Sequence, residues 1–328
     1  MKKLLLIFFA AACGVTDLSA QWKPQQSMYM LNYQAINPAA TAMEDYAQVQ
    51  VGARKQWTGI DGAPVTTYLN AFMPLNLNNR PKYGTDWDVE NNEILYTNHG
   101  IGLNLYQDKI GPYTTTSANA AYALHMPLNS KMALSMGLSA GVQLTNFDPS
   151  KNILPDQAID PALVSQYAIS QKVSPDLNAG LMLSSSRYFL GLSYLQIIPS
   201  TFIDAEKNNS KYKPVLLASG GYGFDLDEDG LSLWVSGVVK SDFANPVRVD
   251  AAVKARYREL CWIGVNYRKE DAIGLGVGWN PIRQVMLAYN YDHNLNTHFR
   301  AFGAASHEIT IGWRFLKDDQ DSRPRMRW

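Results

Sequence analysis

The sequence predicts an all-β fold: a transmembrane antiparallel β-barrel of about fourteen strands with both termini periplasmic. Three observations carry that prediction. The chain opens on a secretory leader, apolar residues recur at every second position over long runs, and nothing beyond the leader is apolar for long enough to cross a bilayer as a helix.

The leader comes first because it sets the compartment. Lys2 and Lys3 precede an apolar run from Leu4 to Ala12, and Leu18-Ser19-Ala20 before Gln21 has the small-residue form that a signal peptidase accepts. An apolar core of about nine residues is far short of the roughly 20 that a membrane helix needs. Residues 1–20 are therefore read as a signal peptide, with Gln21 opening the mature chain. A competing reading makes Cys13, preceded by Ala10, Ala11 and Ala12, the acylated first residue of a lipoprotein. Cleavage after Ala20 leaves Cys261 alone of the two cysteines, which excludes an intramolecular disulfide.

Composition agrees with a barrel. Lys plus Arg number 29 against 29 Asp plus Glu, so nothing points to nucleic acid. The chain carries 18 Tyr, 8 Trp and 11 Phe with 23 Gly, and a barrel in lipid needs apolar residues only on alternate positions.

The alternation is plainest after Met132. Leu134, Met136, Leu138, Ala140, Val142 and Leu144 share one face, while Ser135, Gly137, Ser139, Gly141, Gln143 and Thr145 share the other. One face suits lipid; the other is small and polar. From Val247, Val249, Val253 and Tyr257 alternate with Arg248, Asp250, Lys254 and Arg256, and four charges on one face suit a lumen and not a dry core. Segments of this kind span 46–57, 64–75, 99–109, 113–126, 131–146, 175–184, 187–197, 213–224, 231–241, 246–257, 260–268, 271–279, 283–293 and 305–315. Alternate connections are tight, at Asn129-Ser130, Ser185-Ser186, Asp227 to Gly230, Glu259-Leu260 and Pro281-Ile282, as periplasmic turns should be. The other set holds the long stretches 147–174, 198–212 and 294–304, as outer loops should.

Residues 21–43, polar and with Asn-Pro turn chemistry, precede the first strand and are expected to plug the lumen or rest at its periplasmic mouth. The barrel is expected over 44–315 and a charged periplasmic tail over 316–328. One connection breaks the pattern: 76–98 is long and charged yet falls on the periplasmic side, as an inserted element or the mark of a miscounted strand.

Motifs that imitate chemistry do not survive their context. Gly137-Leu138-Ser139-Ala140-Gly141 matches a nucleophile elbow, but alternation runs through the serine, which sits in mid-strand. Asp225, Asp227 and Asp229 before Gly230 imitate a calcium loop whose twelfth position, Ser236, cannot be the bidentate ligand. Gly274, Gly276 and Gly278 alternate with apolar residues and no helix follows, so they are strand glycines and not a phosphate cradle. His99, His125, His293, His298 and His307 lack metal-binding spacing. No catalytic set, metal or cofactor is expected. A lumen network of Arg54, Asp108, Arg248, Asp250, Lys254, Arg256, Asp292, Glu308 and Arg314 is expected instead, either rigidifying the barrel by charge pairing or lining a selective pore.

Four blocks carry a family resemblance. They are Ser27 to Asn32 followed by Asn37-Pro38-Ala39; Arg54 to Pro64 (RKQWTGIDGAP); Gly102 to Pro112 (GLNLYQDKIGP); and Ser306-His307-Glu308-Ile309 in the last strand. In this order they resemble the PorP/SprF family of the type IX secretion system of Bacteroidetes, over essentially the whole mature chain. The thirteen residues after Phe315 depart from a family pattern in which the chain often stops at that aromatic. The resemblance implies a non-enzymatic outer-membrane component supporting secretion or surface attachment of proteins with C-terminal sorting domains. Implied partners are the PorK/PorN ring with an OmpA-like peptidoglycan-binding protein, or one large surface adhesin as in gliding motility. Asn37, Pro38, Arg54, Trp57, Asp61, Gly62, Pro64, Asp108, Gly111 and Pro112 are the motif residues and candidate partner contacts. A barrel passing fatty acids or other solutes is the alternative function.

Overall fold

A computed structural model describes residues 26–44, 46–75, 97–129, 132–148, 171–201, 211–227, 230–296 and 304–315. The signal-peptide assignment, Cys13, the connection 76–98 apart from its last two residues, and the tail 316–328 lie outside them.

Sixteen strands follow one another: β1 (Ala47–Thr58), β2 (Val65–Pro74), β3 (Asn98–Ile110), β4 (Tyr113–Asn129), β5 (Met132–Phe147), β6 (Gln171–Ser185), β7 (Tyr188–Leu195), β8 (Ser200–Thr201), β9 (Lys211–Tyr212), β10 (Val215–Asp225), β11 (Leu231–Ser241), β12 (Arg248–Tyr257), β13 (Cys261–Arg268), β14 (Ala272–Ile282), β15 (Val285–Asn294) and β16 (Ala305–Phe315). Fourteen close a barrel, each hydrogen-bonded to its neighbour in sequence order, and β1 pairs antiparallel with β16 from Ala47↔Phe315 to Thr58↔Ala305. Among the described residues, β8 and β9 stand aside as a small ribbon inside the connection between β7 and β10. The period-two pattern foresees all fourteen barrel strands. It does not foresee the ribbon, whose strands of two residues are too short to show a period.

Closure follows from the solvent. In hydrocarbon no water is present to satisfy an open edge, so every backbone N–H and C=O must find a strand partner. Side chains then sort by parity. On β5, Leu138 is 60% exposed and Val142 51%, while Ser135, Ser139 and Gln143 on the other parity are 0%, 5% and 2%. Aromatic side chains ring the outer surface toward the short-turn end, at Tyr222, Phe224, Tyr257, Trp279, Trp313 and Phe315, and toward the other end at Tyr194, Tyr267 and Tyr291. Two such girdles flanking an aliphatic band are how a barrel matches a hydrocarbon layer about 25 Å thick.

The two ends differ. β1 begins and β16 ends at the same end, here the turn end, where β4–β5, β6–β7, β12–β13 and β14–β15 are also joined by short connections. At the opposite, loop end lie the described residues 59–64, 111–112, 148, 196–199, 213–214, 242–247, 269–271, 295–296 and 304.

Two local expectations are corrected. Pro281-Ile282 is not a turn: β14 runs through Ile282, with a register shift between Trp279 and Ile282 that lets the proline into the strand, and the reversal falls at Arg283-Gln284. β6 begins at Gln171 and not at Pro175. Its ladder with β7 ends at Ala179↔Tyr194, so Pro175 sits where β6 has outrun that neighbour and its missing N–H is tolerated.

The outward parity makes a direct prediction. Leu275, 48% exposed in mid-strand β14, should tolerate Val but not Arg. Leu275→Arg is expected to lower folding stability in phospholipid vesicles by about 2–4 kcal/mol, measured by denaturant titration, because a charge on the lipid face has no water to reach.

Candidate functional site

The lumen is not empty, because residues 26–43 fold back into it. Three short 3-10 turns, Tyr29–Leu31, Tyr33–Ala35 and Pro38–Ala40, give this segment its shape. Asn37 starts the third by accepting from the Ala39 N–H at 3.0 Å, and Pro38 supplies a fixed φ at its first position. The amide of Asn37 also donates to the Leu181 carbonyl of β6 at 3.1 Å. The Asn37-Pro38 block is thus a buried anchor against the barrel wall.

The wall makes room by omitting side chains. A Cβ on Gly100 of β3 would lie 2.6 Å from the Thr41 carbonyl oxygen, and one on Gly102 would lie 2.7 Å from Thr41 Cγ2. On Gly137 of β5 it would strike Pro38 and Ala39; on Gly180 of β6 it would strike Asn37. Glycines that read as generic lumen residues are a cast of the plug. Polar wall residues then hold its carbonyls: Gln50 Nε2 donates to Leu31 O at 2.9 Å, Ser193 Oγ to Ile36 O at 2.6 Å, and His125 Nε2 lies 2.9 Å from Thr41 O. Tyr29 OH lies 3.2 Å from Ser236 Oγ, and burial pushes its phenol up to about 12, so it keeps its proton at neutral pH.

At the start of the plug, Ser27 sits in a charged latch. Its N–H donates to Glu308 Oε2 at 2.8 Å and its hydroxyl to Asp292 Oδ2 at 2.5 Å, while Arg54 and Arg268 donate to the hydroxyl oxygen. Arg54 Nη1 reaches Asp292 at 2.8 Å and Glu308 at 3.3 Å. Tyr68 OH donates to Glu308 Oε1 at 3.2 Å. All of these groups except Ser27 project from the loop-side halves of their strands.

The expected charge network thus divides in the structure. Arg54, Asp292 and Glu308 meet around Ser27, and Asp250 joins them through Arg268, which lies 3.7 Å from Asp250 and 2.7 Å from Asp271. Asp250 also binds Lys240 at 2.5 Å. Asp108 accepts from Thr66 at 2.5 Å. Lys254, Arg256 and Arg314 lie toward the turn end, where Lys254 stands 5.9 Å over the Trp262 ring and Arg314 5.6 Å over Tyr46. Arg248 is half-buried at the loop end of β12. Sequence reading missed Ser27, Tyr68, Lys240 and Arg268 as members. For Lys240 and Arg268 lumen-facing parity was the available signal; Ser27 opens the first family block, but nothing in the sequence ties it to these charges.

The remaining motif residues gather at the loop end. Trp57, one residue before the end of β1, has φ 49°, donates its N–H to Ser306 Oγ at 3.1 Å, and starts a compact loop in which Ile60 N–H reaches Trp57 O at 3.2 Å and Gln56 N–H reaches Pro64 O at 2.9 Å. Gly62 has φ 72° and Gly111 φ 54°, backbone that favours glycine. The Gly111 N–H donates to the Gly62 carbonyl at 2.9 Å, and Pro112 O accepts from Asp148 N–H at 2.8 Å. Blocks far apart in sequence thereby form one rigid patch, with Asp61 exposed on it and Pro64 buried beneath.

Latch geometry predicts an asymmetry between two substitutions. Arg54→Ala should destabilise the folded barrel by about 3–5 kcal/mol in denaturant titration, because Asp292 and Glu308 are left buried without their cation. Asp61→Ala, on the exposed loop, should change stability by less than about 0.5 kcal/mol.

Comparison with known proteins identifies the lineage. No curated protein matches the chain. Among solved structures, an outer membrane protein of Acinetobacter baumannii, Omp33, is similar at 8% identity with a TM-score of 0.49, covering 84% of this chain and 100% of that one. A FadL homologue of Pseudomonas aeruginosa is similar at 12% identity and a TM-score of 0.47, covering 92% and 95%. A family model described as type IX secretion system membrane protein PorP/SprF matches residues 18–313. The match spans the plug, the latch, the loop-end patch and every barrel strand, and the chain belongs to the PorP/SprF family of type IX secretion system proteins, resident in the outer membrane.

Proposed function

We propose that this protein is a non-enzymatic scaffold of the type IX secretion system, supporting secretion or surface attachment of proteins with C-terminal sorting domains through protein contacts at its mouths. The observation that carries the reading is the plug. Residues 26–43 occupy the lumen against wall glycines shaped to receive them, which we read as closing this barrel to a polypeptide. A secretion component that cannot conduct its cargo has its ends left to work with.

Of the two ends, the loop end suits an exported partner. Bacterial barrels place short turns in the periplasm and long loops outside, which puts Asp61, Gly62 and Gly111 at the cell surface. A patch already rigid before binding loses little entropy on docking. The turn end then faces the periplasm, where ring proteins and a peptidoglycan-binding partner would meet it. A large adhesin held at the loop end and a periplasmic ring held at the turn end are compatible roles for one barrel.

Two measurements test this. In planar bilayers the purified protein should show no large, steady channels, whereas a chain lacking residues 26–43 should; steady conductance of the intact protein would favour the solute-transport reading instead. Affinity purification from outer membranes with mass spectrometry should recover type IX secretion components or one large surface protein. Asp61→Arg with Ala63→Arg should reduce that recovery and cargo secretion together while the amount of folded barrel stays unchanged. Undiminished recovery and secretion would place the contact elsewhere.

A further inference from the structure

Above the plug, on its loop side, the lumen keeps a cavity of about 140 Å³. Its floor is the plug, through Tyr29, Gln34 and Ile36, and its wall comes from the middle and loop-side parts of β2 to β7 and β10 to β13. None of its lining residues belongs to the turn-end mouth.

The wall has an unusual chemistry. Gln50, Asn70, Asn104 and Asn119 stand in register on four successive strands, β1 to β4, as a ladder of carboxamides at the inter-strand spacing of about 4.8 Å. Gln50 is used by the plug. The others face the cavity with atoms left over: Asn70 Nδ2, Asn104 Oδ1 and Asn119 Oδ1 are buried with no hydrogen-bond partner, and so are both amide atoms of Gln34 on the floor. Gln34, Asn70 and Asn119 are 6%, 3% and 6% exposed. Buried amides left unpaired lower stability, and a fold that keeps several of them around one cavity calls for an explanation.

What the site asks of a ligand can be read from what is already satisfied. The cavity's three cations, Lys240, Arg248 and Arg268, are met within the protein by three carboxylates, Asp242, Asp250 and Asp271, so no net charge is on offer. The unpaired groups are neutral, and they include both donors and acceptors. A sugar hydroxyl is donor and acceptor at once and suits either sense of a carboxamide. Leu195, Val215, Leu217 and Val238 supply an apolar wall for the C–H face of a ring. A cavity of about 150 Å³ in another protein accepts benzene, so this one has room for a single six-membered ring and not for an extended peptide.

We propose that this cavity is a binding site for one neutral sugar unit, held by the Gln34, Asn70, Asn104 and Asn119 carboxamides above the plug. The site is separate from the loop-end patch and does not depend on any secretion partner. Either a free monosaccharide or the terminal residue of a glycan supplies the same chemistry.

Saturation-transfer NMR on the purified, folded barrel tests the proposal, with glucose, galactose, mannose, rhamnose and N-acetylglucosamine as probes at millimolar concentration. At least one should receive saturation. Asn104→Leu and, separately, Asn70→Leu should weaken that binding about tenfold while thermal stability holds or rises, since each removes an orphaned amide. Disaccharides ending in the binding sugar distinguish the sources: retained binding marks a glycan end, lost binding a free monosaccharide. Saturation of none of the five sugars, saturation unchanged in both variants, or equal saturation of glycerol would overturn the proposal.

Discussion

In a bilayer a strand edge cannot fall back on water, and the pairing of β1 with β16 answers that constraint. Everything else in the molecule depends on it. Once the edge is closed, alternate residues are committed to lipid or to lumen, and the lumen becomes a chamber whose contents are chosen independently of the membrane. Ile309 and Ile311 on β16 are 53% and 55% exposed to the outside, while Glu308 and Thr310, their immediate neighbours, are 0% and 1%. A single strand thus carries both the anchor in lipid and a member of the latch.

Closure also explains why the latch is ionic. Four charged groups, Arg54, Arg268, Asp292 and Glu308, converge on one serine in a chamber that excludes bulk solvent. Such groups do little for net stability compared with apolar packing, but breaking one leaves the others uncompensated. The arrangement therefore specifies position more than it stabilises. It fixes the plug at its start, as Asn37 fixes it in the middle and His125 toward its end. The plug is held at three levels, and its register along the lumen axis is determined.

How much of this was legible in the sequence follows from the range of each signal. Strand parity is local, and two turns of alternation suffice to see it, so the fourteen strands and their lumen faces could be read directly. The Pro281 turn was misread because proline and a hairpin are usually associated, whereas the bulge after Trp279 admits it within β14. The latch is a different case: Ser27 lies 281 residues from Glu308 and 265 from Asp292, and no spacing rule connects them. The plug sits between these extremes. Its Asn-Pro chemistry announced a turn, but the glycines that receive it, at 100, 137 and 180, looked like ordinary lumen glycines until the segment was in place.

The plug changes what the family's role requires of this barrel. The segment 26–43 is held in the lumen at three levels, and the two surfaces at the ends of the barrel are built differently. The loop end has two of its motif blocks drawn together by the Gly62 to Gly111 bond into a preformed patch. The turn end has cations, Lys254, Arg256 and Arg314, beside the entry of the chain into β1. A loop end knit together by backbone hydrogen bonds and a turn end with cations packed on aromatic rings beside the start of β1 are thus two different surfaces of one barrel, held in the membrane by its girdles.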